Sequence, residues 1–229
     1  MSTVLITGAN RGIGLECSRQ WAEKGAEVLA CCRRPDTATE LQALANKHKN
    51  LVCYALDVSQ FAQIETLAQT LSGKPIDILL NNAGIYGGKQ AFGEIDYNSW
   101  QETFVVNTLA PIKMAECFVD HVAKSQKKMI ATISTQMASI TQNDAGNGYI
   151  YRSTKAALNM ALKSLSVDLK KQGITILMLH PGWVKTDMGG PQAPLLAKDS
   201  AQGLIRVIEK AGVSDTGRFL TYEGQILPW

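Results

Sequence analysis

This chain has few of the residue patterns that mark metal, disulfide, membrane or nucleic-acid proteins. Its five cysteines (Cys17, Cys31, Cys32, Cys53 and Cys117) contain no Cys-x-x-Cys pair and no metal-ligand spacing. Cys31 and Cys32 are adjacent on a predicted strand, where neighbouring side chains face opposite sides. Buried free thiols are therefore expected in place of a disulfide framework. The three histidines (His48, His121 and His180) are scattered, so no metal site is expected. Lysine and arginine exceed the acidic residues by only 3, and the excess is spread evenly, so neither nucleic acid nor an anionic membrane surface is an expected partner. No apolar run approaches the length of a membrane span. Thr3-Val4-Leu5-Ile6-Thr7 reads at once as a strand, not a signal peptide, and a cytoplasmic location is the expectation.

What is present is steady alternation. Apolar runs suited to buried parallel strands occur at Val4–Thr7, Glu27–Cys31, Leu51–Leu56, Ile76–Asn81, Lys128–Ser134, Ile174–His180 and Arg218–Thr221. Helical patterns fill the gaps at Gly12–Lys24, Ala38–Lys47, Ala62–Leu71, Ser99–Ala123, Ile150–Lys171 and Ser200–Ala211. This order predicts an α/β fold: a doubly wound, seven-stranded, mostly parallel sheet with helices on both faces. There is no repeat, low-complexity linker or composition break, so residues 1–229 read as one domain. The loopiest stretch, Gly182–Lys198, holds three glycines and two prolines and reads as a flexible flap over about residues 183–198.

Two motifs carry chemistry. Thr7-Gly8-Ala9-Asn10-Arg11-Gly12-Ile13-Gly14 closes the first strand and opens the first helix. Glycines there let backbone approach a ligand closely, and the helix that follows presents free N–H groups to a phosphate. The spacing is G-x-x-x-G-x-G, not the G-x-G-x-x-G of the general dinucleotide fingerprint. The second motif, Tyr151-Arg152-Ser153-Thr154-Lys155, places a phenol and an ammonium on one helix face. A cation beside a phenol favours the phenolate, so a lowered Tyr151 pKa is expected, as a general acid/base near neutral pH requires. Y-x-x-x-K is common by chance; its company makes it informative. A third feature is Asn107, four residues before Pro111 in a helical segment. Proline has no N–H for the carbonyl at i−4, so a kink and a free Asn107 carbonyl are expected.

Thr7–Gly14, Asn81-Asn82-Ala83-Gly84, Asn107, the Ile133-Ser134-Thr135 strand end, Tyr151/Lys155 and Pro181-Gly182 fall in the order and spacing of the short-chain dehydrogenase/reductase family, which the chain resembles over essentially its whole length. The run from His180 to Pro191 and the Leu227-Pro228-Trp229 ending resemble the branch that holds sniffer-type carbonyl reductases and C-factor proteins. The resemblance implies a Rossmann domain and an oxidoreductase that reduces a carbonyl to an alcohol. Tyr151 would be the proton donor and Lys155 its partner, also holding the nicotinamide ribose. Asn107 would serve a water-linked proton path, and Thr135 would stand where the family usually has serine. Strand alternation keeps Ser134 and Thr135 from both facing the pocket if the strand is regular.

The coenzyme can be read from charge. Strand two ends Ala30-Cys31-Cys32-Arg33-Arg34, without the acid that holds the ribose hydroxyls of NAD. Arg11 and Arg33 are guanidinium forks suited to a 2′-phosphate, which favours NADPH. The resemblance further implies coenzyme contacts from Gly8, Asn10, Gly12, Ile13 and Gly14, from Asp57 and Val58 at the adenine, from Asn82 on the adenosine ribose side, and from Ala83, Gly84, Tyr151 and Lys155. Pro181, Gly182, Val184 and Thr186 would hold the nicotinamide end. Ile85, Tyr86, Met137, Tyr149, Trp183 and Met188 are the expected pocket lining, apolar and aromatic, suited to a small or medium carbonyl compound. A ketone, aldehyde, quinone or 3-oxoacyl thioester all satisfy the chemistry. A coenzyme-binding regulatory or signalling protein, or a 3-oxoacyl carrier-protein reductase, are the competing readings. The resemblance implies pairing of the long fourth and fifth helices into a homodimer or tetramer; Thr103, Val106, Ala110, Met114 and Cys117 form part of an apolar stripe that either such a partner or the chain's own sheet would cover.

Overall fold

A computed structural model describes residues 2–229. Seven strands form one sheet: β1 (Thr3–Thr7), β2 (Glu27–Cys32), β3 (Leu51–Ala55), β4 (Ile78–Asn81), β5 (Met129–Ile133), β6 (Thr175–His180) and β9 (Arg218–Thr221). Their order is β3-β2-β1-β4-β5-β6-β9, and every pairing is parallel. Seven α-helices connect them: α1 (Gly12–Glu23), α2 (Thr39–Lys47), α3 (Phe61–Thr70), α4 (Tyr97–Phe104), α5 (Ala110–Ala123), α6 (Tyr149–Asp168) and α7 (Ala197–Lys210). Among the described residues no helix is long and apolar enough to cross a membrane.

The strands read as unbroken apolar runs because both faces of the sheet are covered. Val4 and Ile6 point into a core with Trp21 of α1, Leu41 of α2 and Leu204 of α7. Leu5 points the other way, into a core with Ile64 of α3, Phe118 of α5 and Leu158 of α6. Phe118 is fully buried, so truncating it to alanine should cost about 3–5 kcal/mol. Cys31 and Cys32 sit in opposite cores, and all five cysteines are free.

The chain runs outward from β1 through β2 to β3, then crosses back to β4 on the other side of β1 and continues outward the other way, so the winding reverses between β1 and β4. That switch point opens a crevice at the carboxyl ends of β1 and β4, the usual ligand position in such sheets.

Three features differ from the sequence pattern. The long helix expected over Ser99–Ala123 is broken by a π-helical turn at Val105–Leu109, whose closing bond runs from the Ala110 N–H to the Val105 carbonyl. Pro111 follows directly, and its missing N–H makes the ordinary α-pattern impossible there. The expected bare flap contains a short parallel ladder between β7 (Val184–Lys185) and β8 (Leu195–Leu196), and α7 begins within the expected loop. The apolar stripe that could have served a dimer is consumed by the chain's own core: Thr103, Ala110 and Met114 are buried, and Val106 and Cys117 pack against the same cluster. A helix face must first satisfy its own sheet, and periodicity cannot tell the two uses apart.

Candidate active site

The glycine turn is held from below by polar groups of the β4 end. Asn82 donates both amide hydrogens, to the carbonyls of Thr7 (2.9 Å) and Gly8 (3.0 Å). The Thr7 hydroxyl accepts the backbone N–H groups of Asn82 and Ala83. Gly14 lies so close that a methyl there would sit 2.3 Å from the Gly8 carbonyl oxygen. Asn82 thus braces the turn, and its amide donors are not free for the ribose contact the family resemblance implied. Arg11 precedes α1 in an extended conformation, makes no side-chain cap, and no acid occupies the first turn. The first N–H groups of α1 are therefore left for an anion.

The other coenzyme candidates line this crevice. Asn10 and Ile13 are half-buried in the turn itself. Asp57 and Val58 follow β3, with the Asp57 carboxylate accepting from the backbone N–H and hydroxyl of Ser59. Arg33 and Arg34 project from the end of β2, exposed and without an ion pair among the described residues. Arg11 is not free: it pairs with Asp187 across the crevice. Thr186, next to Asp187, lies against Gly12, where an added methyl would meet its Cγ2 at 3.2 Å. Pro181 is anchored by the Ser200 hydroxyl on its carbonyl at 2.6 Å, Gly182 has φ +87°, and Val184 is buried in the small ladder.

One face of α6 reads the end of β5. Tyr151, Lys155 and Asn159 recur at i, i+4 and i+8 on that face. The Tyr151 phenol faces the Thr135 hydroxyl, the Lys155 ammonium donates to the Ile133 carbonyl at 2.8 Å, and Asn159 accepts from the Ser134 hydroxyl at 2.7 Å. Alternation along the strand end separates the two hydroxyls as expected. Thr135 faces Tyr151, whereas Ser134 turns away into the core.

The expected lowering of the Tyr151 pKa by Lys155 does not hold. Burial pushes the Tyr151 phenol up to about 12, against a downward pull from the Thr135 hydroxyl and a smaller upward one from Tyr86. Burial also pushes Lys155 down to about 8. Desolvation disfavours both charged forms and is the first cause of each shift. Lys155, 4% exposed, spends a hydrogen bond on a strand carbonyl and not on the phenol.

Asn107 is fully buried in the π-turn, and its side chain clamps the backbone of Ile85. Oδ1 accepts the Ile85 N–H (2.9 Å) and Nδ2 donates to the Ile85 carbonyl (2.8 Å). Gly84 sits above Asn107 and Lys155, and an added methyl would meet Asn107 Oδ1 at 3.2 Å and Lys155 Nζ at 3.5 Å. The Asn82–Gly84 loop, Asn107, Thr135, Tyr151 and Lys155 thus converge at one place.

Above them is an apolar mouth. Tyr86 packs on Tyr151 with ring centroids 4.9 Å apart, and Phe92 lies 6.3 Å from Tyr149. Trp183, Met188, Tyr86 and Tyr149 are exposed, and Ile85 and Met137 half-buried. Phe92 (85% exposed) joins them and was not singled out from sequence. Asp187, Asn159 and Gln90 were also missed. Asn159 had a readable signal, the continued i+4 spacing after Lys155. The others belong to loops without periodicity.

The comparisons fit this geometry. Over its full length the chain superposes on the carbonyl reductase Sniffer of D. melanogaster, covering all of both chains at 35% identity and a TM-score of 0.92. A carbonyl reductase from Pseudomonas aeruginosa PAO1 in complex with NADP matches with 38% identity, a TM-score of 0.90 and full coverage of both chains. The protein named C-signal from Myxococcus xanthus is 42% identical over 155 residues, 68% of this chain and 93% of that protein. The family model described as short chain dehydrogenase matches residues 2–194, a span running from the glycine turn through the Tyr151/Lys155 face into the flap, and the chain belongs to that family.

Proposed function

We propose that this protein is an NADPH-dependent carbonyl reductase, converting a ketone, aldehyde or quinone to the alcohol. The carrying observation is the convergence of the half-buried Tyr151, the Thr135 hydroxyl and the buried Lys155 ammonium beneath an apolar, aromatic mouth. The crevice suits the coenzyme: an uncapped α1 N-terminus meets a glycine turn with no room for a side chain, and Arg33 and Arg34 stand unpaired where NAD-specific sites carry an acid. When bound, NADPH supplies the hydride. Arg33 and the α1 N–H groups would hold phosphate, and Thr186 and Val184 would hold the nicotinamide end.

Tyr151 gives its proton to the carbonyl oxygen as charge develops there, and a pKa of about 12 keeps the phenol protonated until that moment. The Thr135 hydroxyl donates a second hydrogen bond to the same oxygen. Lys155 holds a positive charge near the departing phenolate below about pH 8 and loses it above. Asn107, pinned to Ile85, keeps the loop over the site in register.

The test is NADPH oxidation against quinones, α-diketones, aromatic aldehydes and 3-oxoacyl thioesters. Tyr151→Phe, which removes only the transferable proton, serves as control. Turnover on any of the first three classes, lost by about 10²-fold or more in the variant with NADPH affinity intact, is the expected result. Unchanged turnover would exclude Tyr151 as the acid, and thioesters as the sole substrates would favour a 3-oxoacyl carrier-protein reductase. The relation to C-signal favours a second reading, a coenzyme-binding signalling protein. Tight NADPH binding with no turnover across the panel would select it. A cytoplasmic location belongs to the same proposal. So does a homodimer, for which the exposed side chains of Leu109, Met160 and Val167 remain on the outer helix faces; a monomer by light scattering refutes it.

A further inference from the structure

Gln90 lies in the loop between β4 and α4, among exposed neighbours (Gly88, Lys89, Ala91, Phe92 and Gly93), yet is itself only 7% exposed. Burying an amide is costly unless its hydrogen-bonding groups find partners. Here both ends do. Oε1 accepts the backbone N–H of Tyr151 at 2.9 Å, and Nε2 donates to the carbonyl of Tyr86 at 2.9 Å. Tyr151 is the third residue of α6, and its N–H is among those a helix leaves without an internal partner. The residue before the helix, Gly148, has no side chain to cap it. Gln90 supplies that cap from 61 residues away.

The same side chain therefore ties the proton donor's backbone to the mouth residue whose ring packs on it at 4.9 Å. The loop has little slack between these points. At Gly87, which has φ +90°, an added methyl would lie 2.7 Å from the Ile150 side chain. We propose that Gln90 is a positioning residue: it sets the distance between the Tyr151 phenol and the Tyr86 wall, and so the pose in which an apolar carbonyl substrate meets the proton donor. This rests on the reductase reading above.

Two variants separate the ends of the amide. Gln90→Leu removes both bonds. Gln90→Glu keeps the acceptor for the Tyr151 N–H but, when ionised, cannot donate to the Tyr86 carbonyl and repels it. A protonated glutamic acid restores the donor. The experiment measures kcat and KM for the best carbonyl substrate, and NADPH affinity by fluorescence, from about pH 5.5 to pH 8.5, with wild type in parallel. Both variants should lose roughly 10- to 100-fold in kcat/KM near neutral pH, with NADPH affinity unchanged, because the misplacement is confined to the substrate side. Gln90→Glu alone should recover toward wild type as pH falls, a signature that a purely structural role would not produce.

Wild-type kcat/KM in either variant, equal losses of NADPH affinity and kcat/KM, or no acid recovery in Gln90→Glu would each overturn the proposal. Should Gln90→Leu fail to fold, the Gln90→Glu pH profile decides alone. A wild-type protein without turnover sinks the reductase reading and this inference with it. An active wild type with indifferent Gln90 variants sinks only the inference.

Discussion

At the glycine turn a single methyl group has nowhere to go. Gly14 faces the Gly8 carbonyl, Asn82 spends both amide hydrogens beneath it, and the Thr7 hydroxyl takes up two more N–H groups. At the mouth, by contrast, Phe92, Trp183 and Met188 stand in solvent. The difference separates two kinds of recognition. Backbone and buried amides define the coenzyme end, where one shape must fit. Exposed apolar side chains line the proposed substrate end, where a change should alter affinity without unsettling the fold.

The hardest test of that contrast is Gly14→Ala. Overpacking costs about 1–3 kcal/mol where the surroundings can shift, and here the obstacle is backbone. Thermal unfolding should show a marked loss of stability together with lost NADPH binding. A variant with the wild-type melting temperature would mean the turn can relax, and the contrast would fail.

Lys155 sharpens the comparison through pH. Its proton is lost in the folded protein near pH 8, so kcat/KM should fall as pH rises through about 8 and Lys155→Arg should abolish that limb. Stability should move the opposite way. Between about pH 8 and the ordinary lysine value of 10.5, the unfolded chain holds a proton the folded one has released, so unfolding becomes harder as pH rises across that window. Denaturant midpoints at pH 8 and pH 10 would check the sign; a decrease that persists in Lys155→Met would leave Lys155 out of the explanation.

Smaller effects separate the two ends further. Arg33→Ala should weaken NADPH binding by roughly 10-fold and leave NADH binding nearly unchanged, because only the 2′-phosphate needs the guanidinium. Equal losses for both coenzymes would overturn the assignment. Phe92→Ala should change KM for bulky aromatic substrates a few-fold while shifting stability by less than about 0.5 kcal/mol. A large stability loss there would show the mouth to be structural after all.

Much of this architecture is legible in the chain itself. Unbroken apolar runs identify strands buried on both faces, and glycines between β1 and α1 identify the only residues that fit a crowded turn. The i, i+4 spacing of Tyr151 and Lys155 brings them to one helix face. The π-turn, by contrast, is invisible beyond the hint of Pro111, because an extra backbone residue per turn leaves no periodic trace. Gln90 is equally unreadable, a lone glutamine in a polar loop whose partners are backbone atoms of Tyr86 and Tyr151. The sequence also misleads about the Tyr151 pKa: proximity of a cation can be read from spacing, but desolvation depends on what surrounds both groups.

By itself, then, the sequence determined the sheet, the glycine turn and the membership of the Tyr151/Lys155 face, since each follows from local periodicity and from steric limits on single residues. Only the tertiary structure decided that Asn82 is a brace, that Thr135 and not Ser134 meets the phenol, that Asp187 occupies Arg11, and that Gln90 spans from the mouth to α6. Those outcomes depend on which polar groups are left within about 3 Å of one another once the cores on both faces of the sheet have closed.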